Sequence, residues 1–414
     1  MKLYRLFFLS LLLFFYCRNS TDAEVILRLH PSATEIRPSY LKFYSDVLPS
    51  LKKKKVMLVT NPSGIGNNPE KLRQKFKENN VTIHSLLGLE HGFLGLEEDF
   101  SSSPVTIDSI FQLPIYHVYK LKGNELQTVL SEVDAVVIDV QDMGMRCYTY
   151  LTVLKRVMDR LNPSVRLIVL DHINPGMELG PKGDTVEKGY ENFAGEFPSL
   201  FFTGMTMGES AIYYNAEFLS KRVNLTVVPV ENYKRGMQFE KTGLPWHTPS
   251  PNLPNLDSAR NYFSLVFLEG INVSVGRGTQ APFVYFGASW MKDQEELISL
   301  LEKDSRGHYY FLEVFFKPAF SKYKDKICRG LRMQTVKPDY DAVRLAYTMI
   351  SEIRKKYSKD FEWQGSKVFT IDQLWGSDRF RKAVEKEKSY DDFQKSFAEK
   401  ERKALETVSR YYLY

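Results

Sequence analysis

Through the first half of the chain, apolar positions fall in short, nearly continuous runs separated by amphipathic stretches. Val56–Thr60, Val81–Leu89, Ile115–Tyr119, Ala135–Val140, Leu167–Leu170 and Leu225–Val230 read as strands. Between them, Glu70–Asn79, Glu125–Glu132, Tyr150–Leu161 and Gly208–Lys221 read as helices. Runs of Val, Ile and Leu without polar alternation mark strands buried on both faces, and helical crossovers between such strands imply a parallel sheet. The pattern predicts a doubly wound α/β domain. After Glu231 the texture changes: Leu244–Asn255 is rich in Pro and Asn and cannot form a regular helix or central strand. A Lys- and aromatic-rich tail follows, with helices predicted over Asp293–Glu302, Asp341–Lys355 and Ser389–Val408, and it reads as a second, smaller α+β domain.

The N-terminus departs from this pattern. Lys2 and Arg5 flank the uncharged run Leu6–Tyr16, which is shorter than the ~20 residues a spanning helix needs and has the form of a secretory signal. The expected mature protein is exported, either cleaved after Ala23 and periplasmic, or lipidated at Cys17 as a membrane-anchored lipoprotein. Any membrane attachment is then by this tether. The expected division is 1–23 for the signal, 24–235 for the α/β domain and 236–414 for the α+β domain.

Composition narrows the function classes. At 43% hydrophobic and 26% charged over 414 residues, the chain is globular rather than disordered. Its 56 Lys and Arg exceed its 50 Asp and Glu by only six, with a single basic block at Lys52–Lys55, so nucleic acid is not the expected partner. Beyond the signal only Cys147 and Cys328 remain, and no disulfide framework builds the fold. Dinucleotide, Walker, His-Glu-x-x-His and Gly-x-Ser-x-Gly patterns are all missing from the sequence. No cofactor or catalytic metal is therefore expected, and serine hydrolase chemistry falls away.

Carboxylate chemistry remains. In open α/β sheets, ligands bind beyond the carboxyl ends of the strands, and four loops there carry polar residues. They are Asn61-Pro62-Ser63-Gly64, Glu90-His91-Gly92, Asp139-Val140-Gln141-Asp142 and Asp171-His172-Ile173-Asn174-Pro175. Each alone reads as turn or cap chemistry; four on one edge point to a site. Glycoside hydrolysis needs a carboxylic acid for the leaving oxygen and usually a second carboxylate. Glu90 is the candidate acid, since it closes an apolar run and the adjacent His91 imidazole can orient it. Glu209, three residues after Thr206, has capping-box spacing and reads as structural. Arg277 lies between two glycines that let backbone approach a ligand. Arg146 is a second candidate anchor, with a salt bridge to Asp142 as its structural alternative.

These residues, in order, resemble the NamZ-type exo-β-N-acetylmuramidases. The resemblance runs from about Val56 to the Trp375 region. It rests on Glu90-His91-Gly92-Phe93, on Asp139-Val140-Gln141-Asp142-Met143-Gly144 with Arg146 and Tyr148-Thr149-Tyr150, and on Asp171 with Asn174-Pro175. It continues through Gly204-Met205-Thr206 with Gly208-Glu209, Pro249-Ser250-Pro251-Asn252, Glu269-Gly270 with Asn272, and Gly276-Arg277-Gly278-Thr279 with Pro282-Phe283. The resemblance implies a Rossmann-like domain and a C-terminal domain closing a cleft, in which terminal N-acetylmuramic acid is removed from peptidoglycan fragments. On that model Glu90, His91 and Glu269 are the catalytic candidates. Asn61, Asp139, Gln141, Asp142, Arg146, Asn174, Asn252 and Arg277 are the substrate-binding candidates, with Arg277 or Arg146 on the lactyl carboxylate. The chain departs from the family pattern at Leu94, where Arg is usual, at His172-Ile173 in place of Arg-Pro, at Thr203 in place of His and at Val275 in place of Glu. Three readings stay open: an active muramidase, a non-catalytic binder of cell-wall glycans, and a glycosidase shifted to another amino sugar.

Overall fold

A computed structural model describes residues 35–97 and 101–414. The signal read in residues 1–23 lies outside the described residues. The N-terminal region holds β1 (Lys55–Thr60), β2 (Thr82–Gly88), β3 (Val105–Ile107), β4 (Pro114–His117), β5 (Ala135–Asp139), β6 (Arg166–Leu170), the short β7 (Pro181–Lys182) and β8 (Phe202–Thr203), and β9 (Asn224–Val228). Seven of these form one sheet in the order β3-β4-β2-β1-β5-β6-β9, parallel except for the edge strand β3. The first-half strand runs and helices are thus found where the apolar pattern places them, the helices at Pro69–Glu78, Glu125–Leu130, Tyr150–Arg160 and Met207–Glu217. Their ends follow local chemistry. Asn68 accepts from Lys71 N ahead of Pro69, and Thr206 with Glu209 forms the expected capping box.

Alternate residues of β1 serve opposite faces. Met57 and Val59 join the core under the helices Tyr150–Arg160 and Met207–Glu217, while Val56 and Leu58 join a second core with Phe43, Leu72 and Phe76. Burial on both faces is why these strands carry no polar alternation.

The C-terminal region has a three-stranded antiparallel sheet, β10 (Tyr285–Ala288), β11 (Tyr309–Phe316) and β12 (Cys328–Thr335), in the order β10-β12-β11. Helices Leu256–Leu265 and Glu295–Asp304 pack against it, and Ala342–Lys356 packs on both of them. The fold is a Rossmann-like α/β sheet with a smaller α+β part. One hydrophobic cluster runs from Met57 and Val136 through Phe201, Phe267 and Trp375 to Phe286 and Ile350, so both sheets share a core. The stretch Ser389–Val408, expected as one helix, is two, Tyr390–Lys395 and Ala398–Val408. Phe397 breaks it at φ −134°, burying its ring against Trp375 and Phe393. No helix among the described residues is long and apolar enough to cross a membrane.

Candidate active site

β2 ends at Gly88, and the chain turns sharply through Glu90, His91 and Gly92. His91 and Gly92 both take left-handed backbone conformations, φ +70° and +73°. A non-glycine residue holds such a conformation only where its surroundings impose it. Here the His91 ring is tied by Nδ1 to the Glu97 carbonyl at 2.8 Å, and Glu97 N returns to the His91 carbonyl at 3.2 Å. The turn lifts Glu90 to the mouth of a cavity. Thr149, at the N-cap of helix Tyr150–Arg160, makes no cap bond with its side chain; its hydroxyl donates instead to Glu90 Oε2 at 2.7 Å. One carboxyl oxygen is thereby fixed.

The opposite wall comes from the C-terminal region. Glu269 sits on the 3-10 turn Val266–Gly270, and Arg277 lies between Gly276 and Gly278, whose φ values are +78° and +79°. Only glycine adopts these freely, and a Cβ on Gly278 would also meet Phe320 N at 2.7 Å. Arg277 Nε donates to Glu269 Oε1 at 2.6 Å, and the guanidinium lies 5.0 Å from the Phe283 ring centroid. Burial alone would lower the Arg277 pKa, but the Glu269 carboxylate outweighs it and holds the guanidinium charged. Its two Nη groups make no hydrogen bond among the described residues, and Arg277 lines the same cavity as Glu90.

The third side is the Pro-rich loop. Tyr150 Oη donates to the Pro249 carbonyl at 2.7 Å, and Asn61 Nδ2 bonds both Tyr150 Oη and, at 3.4 Å, the same carbonyl. The loop is pinned there, and Ser250 and Asn252 reach the cavity. Glu90, His91, Asn252, Glu269 and Arg277 thus line a single cavity of about 210 Å³, with apolar and aromatic walls from Tyr148, Phe193, Leu253, Tyr262 and Phe283. Burial pushes the Tyr148 and Tyr262 phenols well above their ordinary pKa, with Tyr150 adding to the shift for Tyr148, and Cys147 and Glu269 adding to it for Tyr262.

The other candidates are placed elsewhere. Asn61 pins the loop rather than facing the cavity. Asp139 accepts from Ile65 N at 2.6 Å and pairs with His172 Nε2 at 2.6 Å. Asp142 Oδ2 accepts from Gly144 N at 2.6 Å, and Asn174 Nδ2 donates to the Met205 carbonyl at 2.8 Å. Gln141 Nε2 bonds the carbonyls of Asp142 and Ile173 and lines a second, smaller cavity of about 80 Å³ beyond β1 and β5, with His172 and His247. Arg146 is fully buried and makes no salt bridge to Asp142. Its guanidinium bonds four carbonyls, those of Asp184, Ser199, Leu374 and Trp375. That position bars it from a substrate carboxylate and leaves Arg277 as the cavity's cation.

Of the positions that depart from the family pattern, none lines the Glu90 cavity. Leu94 is exposed on the turn after Gly92, His172 faces the smaller cavity, Thr203 bonds the Gly144 and Met205 carbonyls, and Val275 is buried. Sequence reading named Thr149 only within the family motif Tyr148-Thr149-Tyr150, with no role, and did not name Tyr262. Thr149 has helical rather than extended backbone (φ −66°, ψ −10°) and makes no cap bond, so its hydroxyl is available to Glu90. Among the described residues, no three His, Cys, Asp or Glu side chains converge as a metal would require.

Comparison with known proteins is consistent across three lines. The family models for the exo-beta-N-acetylmuramidase NamZ match over residues 56–257 for the N-terminal part and 260–414 for the C-terminal part. The peptidoglycan beta-N-acetylmuramidase NamZ of Bacillus subtilis (strain 168) is 32% identical over 372 residues, 89% of each chain. Two crystal structures of DUF1343 family proteins from Bacteroides fragilis NCTC 9343 share the fold, each 26% identical over 92% of this chain and 99% of their own, with TM-scores of 0.77 and 0.70.

Proposed function

The chain belongs to the NamZ family of exo-β-N-acetylmuramidases, and from that premise we propose that it is an exported glycoside hydrolase that removes terminal N-acetylmuramic acid from peptidoglycan fragments in cell-wall turnover. The observation that carries this reading is the convergence of Glu90, the Glu269–Arg277 pair and Asn252 on one cavity. Glu90 is the general acid. Thr149 occupies one of its oxygens, and a proton on the carboxyl passes to the glycosidic oxygen as the bond to the anomeric carbon breaks. Glu269 is the second carboxylate on the same cavity, the group left to serve at the anomeric carbon. Arg277 meets Glu269 through Nε only, which leaves its Nη1–Nη2 edge for a second carboxylate in the paired geometry guanidinium favours. The lactyl group of muramic acid supplies one. Asn252 and the Tyr262 hydroxyl, both on the cavity lining, are the groups placed for the sugar's hydroxyl and acetamido groups.

Hydrolysis of a chromogenic N-acetylmuramide tests the reading. Wild type is expected to release the chromophore, EDTA to leave the rate unchanged, and Glu90→Gln to remove most turnover. A wild type that binds muropeptides but frees no sugar over long incubation overturns it in favour of a binding protein.

A further inference from the structure

The Glu269–Arg277 wall stands on two irregular pieces of chain, a 3-10 turn and a glycine-flanked loop, and neither belongs to a strand or a long helix. Something else must hold it. The loop of residues 317–327, which joins β11 to β12, packs directly behind it. Lys322 Nζ lies 2.9 Å from the Glu269 carbonyl, within 3.4 Å of those of Leu268 and Val273, and closest to that of Ile271. Three ammonium protons thus meet four carbonyls at and just beyond the end of the 3-10 turn, of which that of Leu268 also accepts from Ile271 N. From the same loop, Ala319 N donates to the Gly278 carbonyl at 2.8 Å, next to Arg277. Tyr323 Oη donates to the Asn272 carbonyl at 2.8 Å and is itself fixed by Trp290 Nε1. The loop therefore grips the wall on the Glu269 side, in the middle and on the Arg277 side.

Its own backbone is costly. Ser321, Tyr323 and Asp325 take φ of +66°, +61° and +60°, three non-glycine residues in the left-handed region within five positions. Such a conformation persists where surrounding contacts over-determine it. Alternation of this kind turns Lys322 inward while its neighbours Ser321 and Lys324 stay exposed.

We propose that the 317–327 loop is a brace for the second catalytic wall and that Lys322 is a positioning residue, setting where Glu269 and Arg277 stand relative to Glu90. The catalytic part of this inference rests on the proposed hydrolase reading; the brace itself does not. Lys322 makes no ion pair. The charged groups facing it are Glu269 and Arg277, and burial lowers its pKa to about 8, with Glu269 opposing and Arg277 adding to the effect. As pH rises through that value the clamp loses its charge and its third proton, and the wall should loosen.

Two measurements on the full chain test this. Amide hydrogen exchange of Lys322→Met should show protection lost across residues 266–279 and retained in β1, β5 and β6, and wild type should approach the same pattern above about pH 9 but not at pH 7. On N-acetylmuramide, Lys322→Met should lower kcat ~10–100-fold, as small misplacements of reacting groups do, and should lack the alkaline limb seen in wild type near pH 8, while Lys322→Arg restores part of the rate and moves that limb upward. Unchanged protection over 266–279, in the variant or in wild type at high pH, overturns the brace. Lost protection with an unchanged kcat and pH profile overturns the positioning role. Should Lys322→Met fail to fold, the wild-type exchange at two pH values still decides. If wild type has no muramidase activity the functional reading falls, and exchange alone judges the brace.

Discussion

Two polar clusters stand over the carboxyl ends of the parallel strands, and they differ in what their hydrogen-bonding groups have left to give. Around β1, β5 and β6, Asn61, Asp139, Arg146, Asp171 and Asn174 bond mainly to one another's neighbourhoods and to backbone: Asp171 alone accepts from Thr206 Oγ1, Gly208 N and Tyr414 Oη. Around the end of β2, Glu90 has one oxygen held and Arg277 has one nitrogen paired, and the remainder faces a cavity. The open-sheet rule points at the first cluster, since strand order reverses between β1 and β5. The larger cavity belongs to the second. Residue type at a strand end therefore marks where chemistry could be; unpaired groups that also line a cavity favour the second cluster, since the unpaired Asp142 Oδ1, Asn174 Oδ1 and Arg146 Nε of the first are sealed in the interior.

If that contrast is right, the clusters should answer different assays. The largest effect belongs to Glu90. Removing a positioned general acid costs ~10²–10⁴ in rate, so Glu90→Gln should abolish most turnover with thermal stability and muropeptide affinity nearly unchanged. A wild-type rate in that variant would unseat Glu90 and make Glu269 the acid.

Arg146 should behave in the opposite way. Its guanidinium joins Asp184 and Ser199 to Leu374 and Trp375, so it ties the C-terminal helices to the main sheet. Arg146→Met leaves four carbonyls short of a charged donor and should destabilise the fold by about 3–5 kcal/mol, read by urea denaturation. An Arg146 variant of normal stability that loses only muramic acid binding would erase the distinction between the clusters.

Much of this architecture was legible in the chain. The main-sheet strands announce themselves because both faces are buried, and the Thr206–Glu209 cap follows from spacing alone. β11 was not legible: Tyr309–Phe316 places aromatic and aliphatic side chains on both its buried and its exposed positions, and Leu312 and Phe315 stay out in solvent, which erases the period of two that would mark a half-buried strand. The site was half legible for a related reason. Asn61 and Glu90 look alike at the end of an apolar run. What separates them is the partner, and the partners of Asn61, Asp139 and Asn174 include backbone groups of distant residues that only the fold brings near. Lys322 left no trace at all, because every atom it holds is a carbonyl oxygen.

Acid–base behaviour offers a smaller test. Asp142 is fully buried with Oδ1 unpartnered, and burial raises its pKa from 3.8 to about 7; Asp171 rises to about 6, again through burial first and then Glu209. Between the unfolded value and these folded values the native state binds the extra proton, so stability should fall as pH rises through about 4 to 7. The share belonging to Asp142 is on the order of 2 kcal/mol at ~1.4 kcal/mol per unit with relaxation of the site allowed for. Asp142→Asn, which cannot ionise, should flatten the stability–pH curve over that range while leaving the pH profile of kcat unchanged. A flattened rate profile instead would move Asp142 into the reacting cluster.

The smallest expected effect is the most specific. Arg277→Ala removes the cavity's cation and also leaves Glu269 without its partner, so a loss of affinity for any single ligand would mix the two causes. Comparing two ligands separates them. N-acetylmuramic acid and N-acetylglucosamine share the ring, the acetamido group and the hydroxyls at C1, C4 and C6; at O3 the first carries a lactyl ether where the second has a hydroxyl, and only the first carries a carboxylate. Disturbance of Glu269 should weaken both alike and cancel in the ratio of their affinities. What survives is the bond between the free Nη edge and the carboxylate, expected to change that ratio roughly tenfold, or about 1.4 kcal/mol. Titration calorimetry of both sugars against wild type and Arg277→Ala measures it directly. A ratio that does not move would mean that Arg277 serves only to hold Glu269, and that the open cluster selects its sugar by other groups.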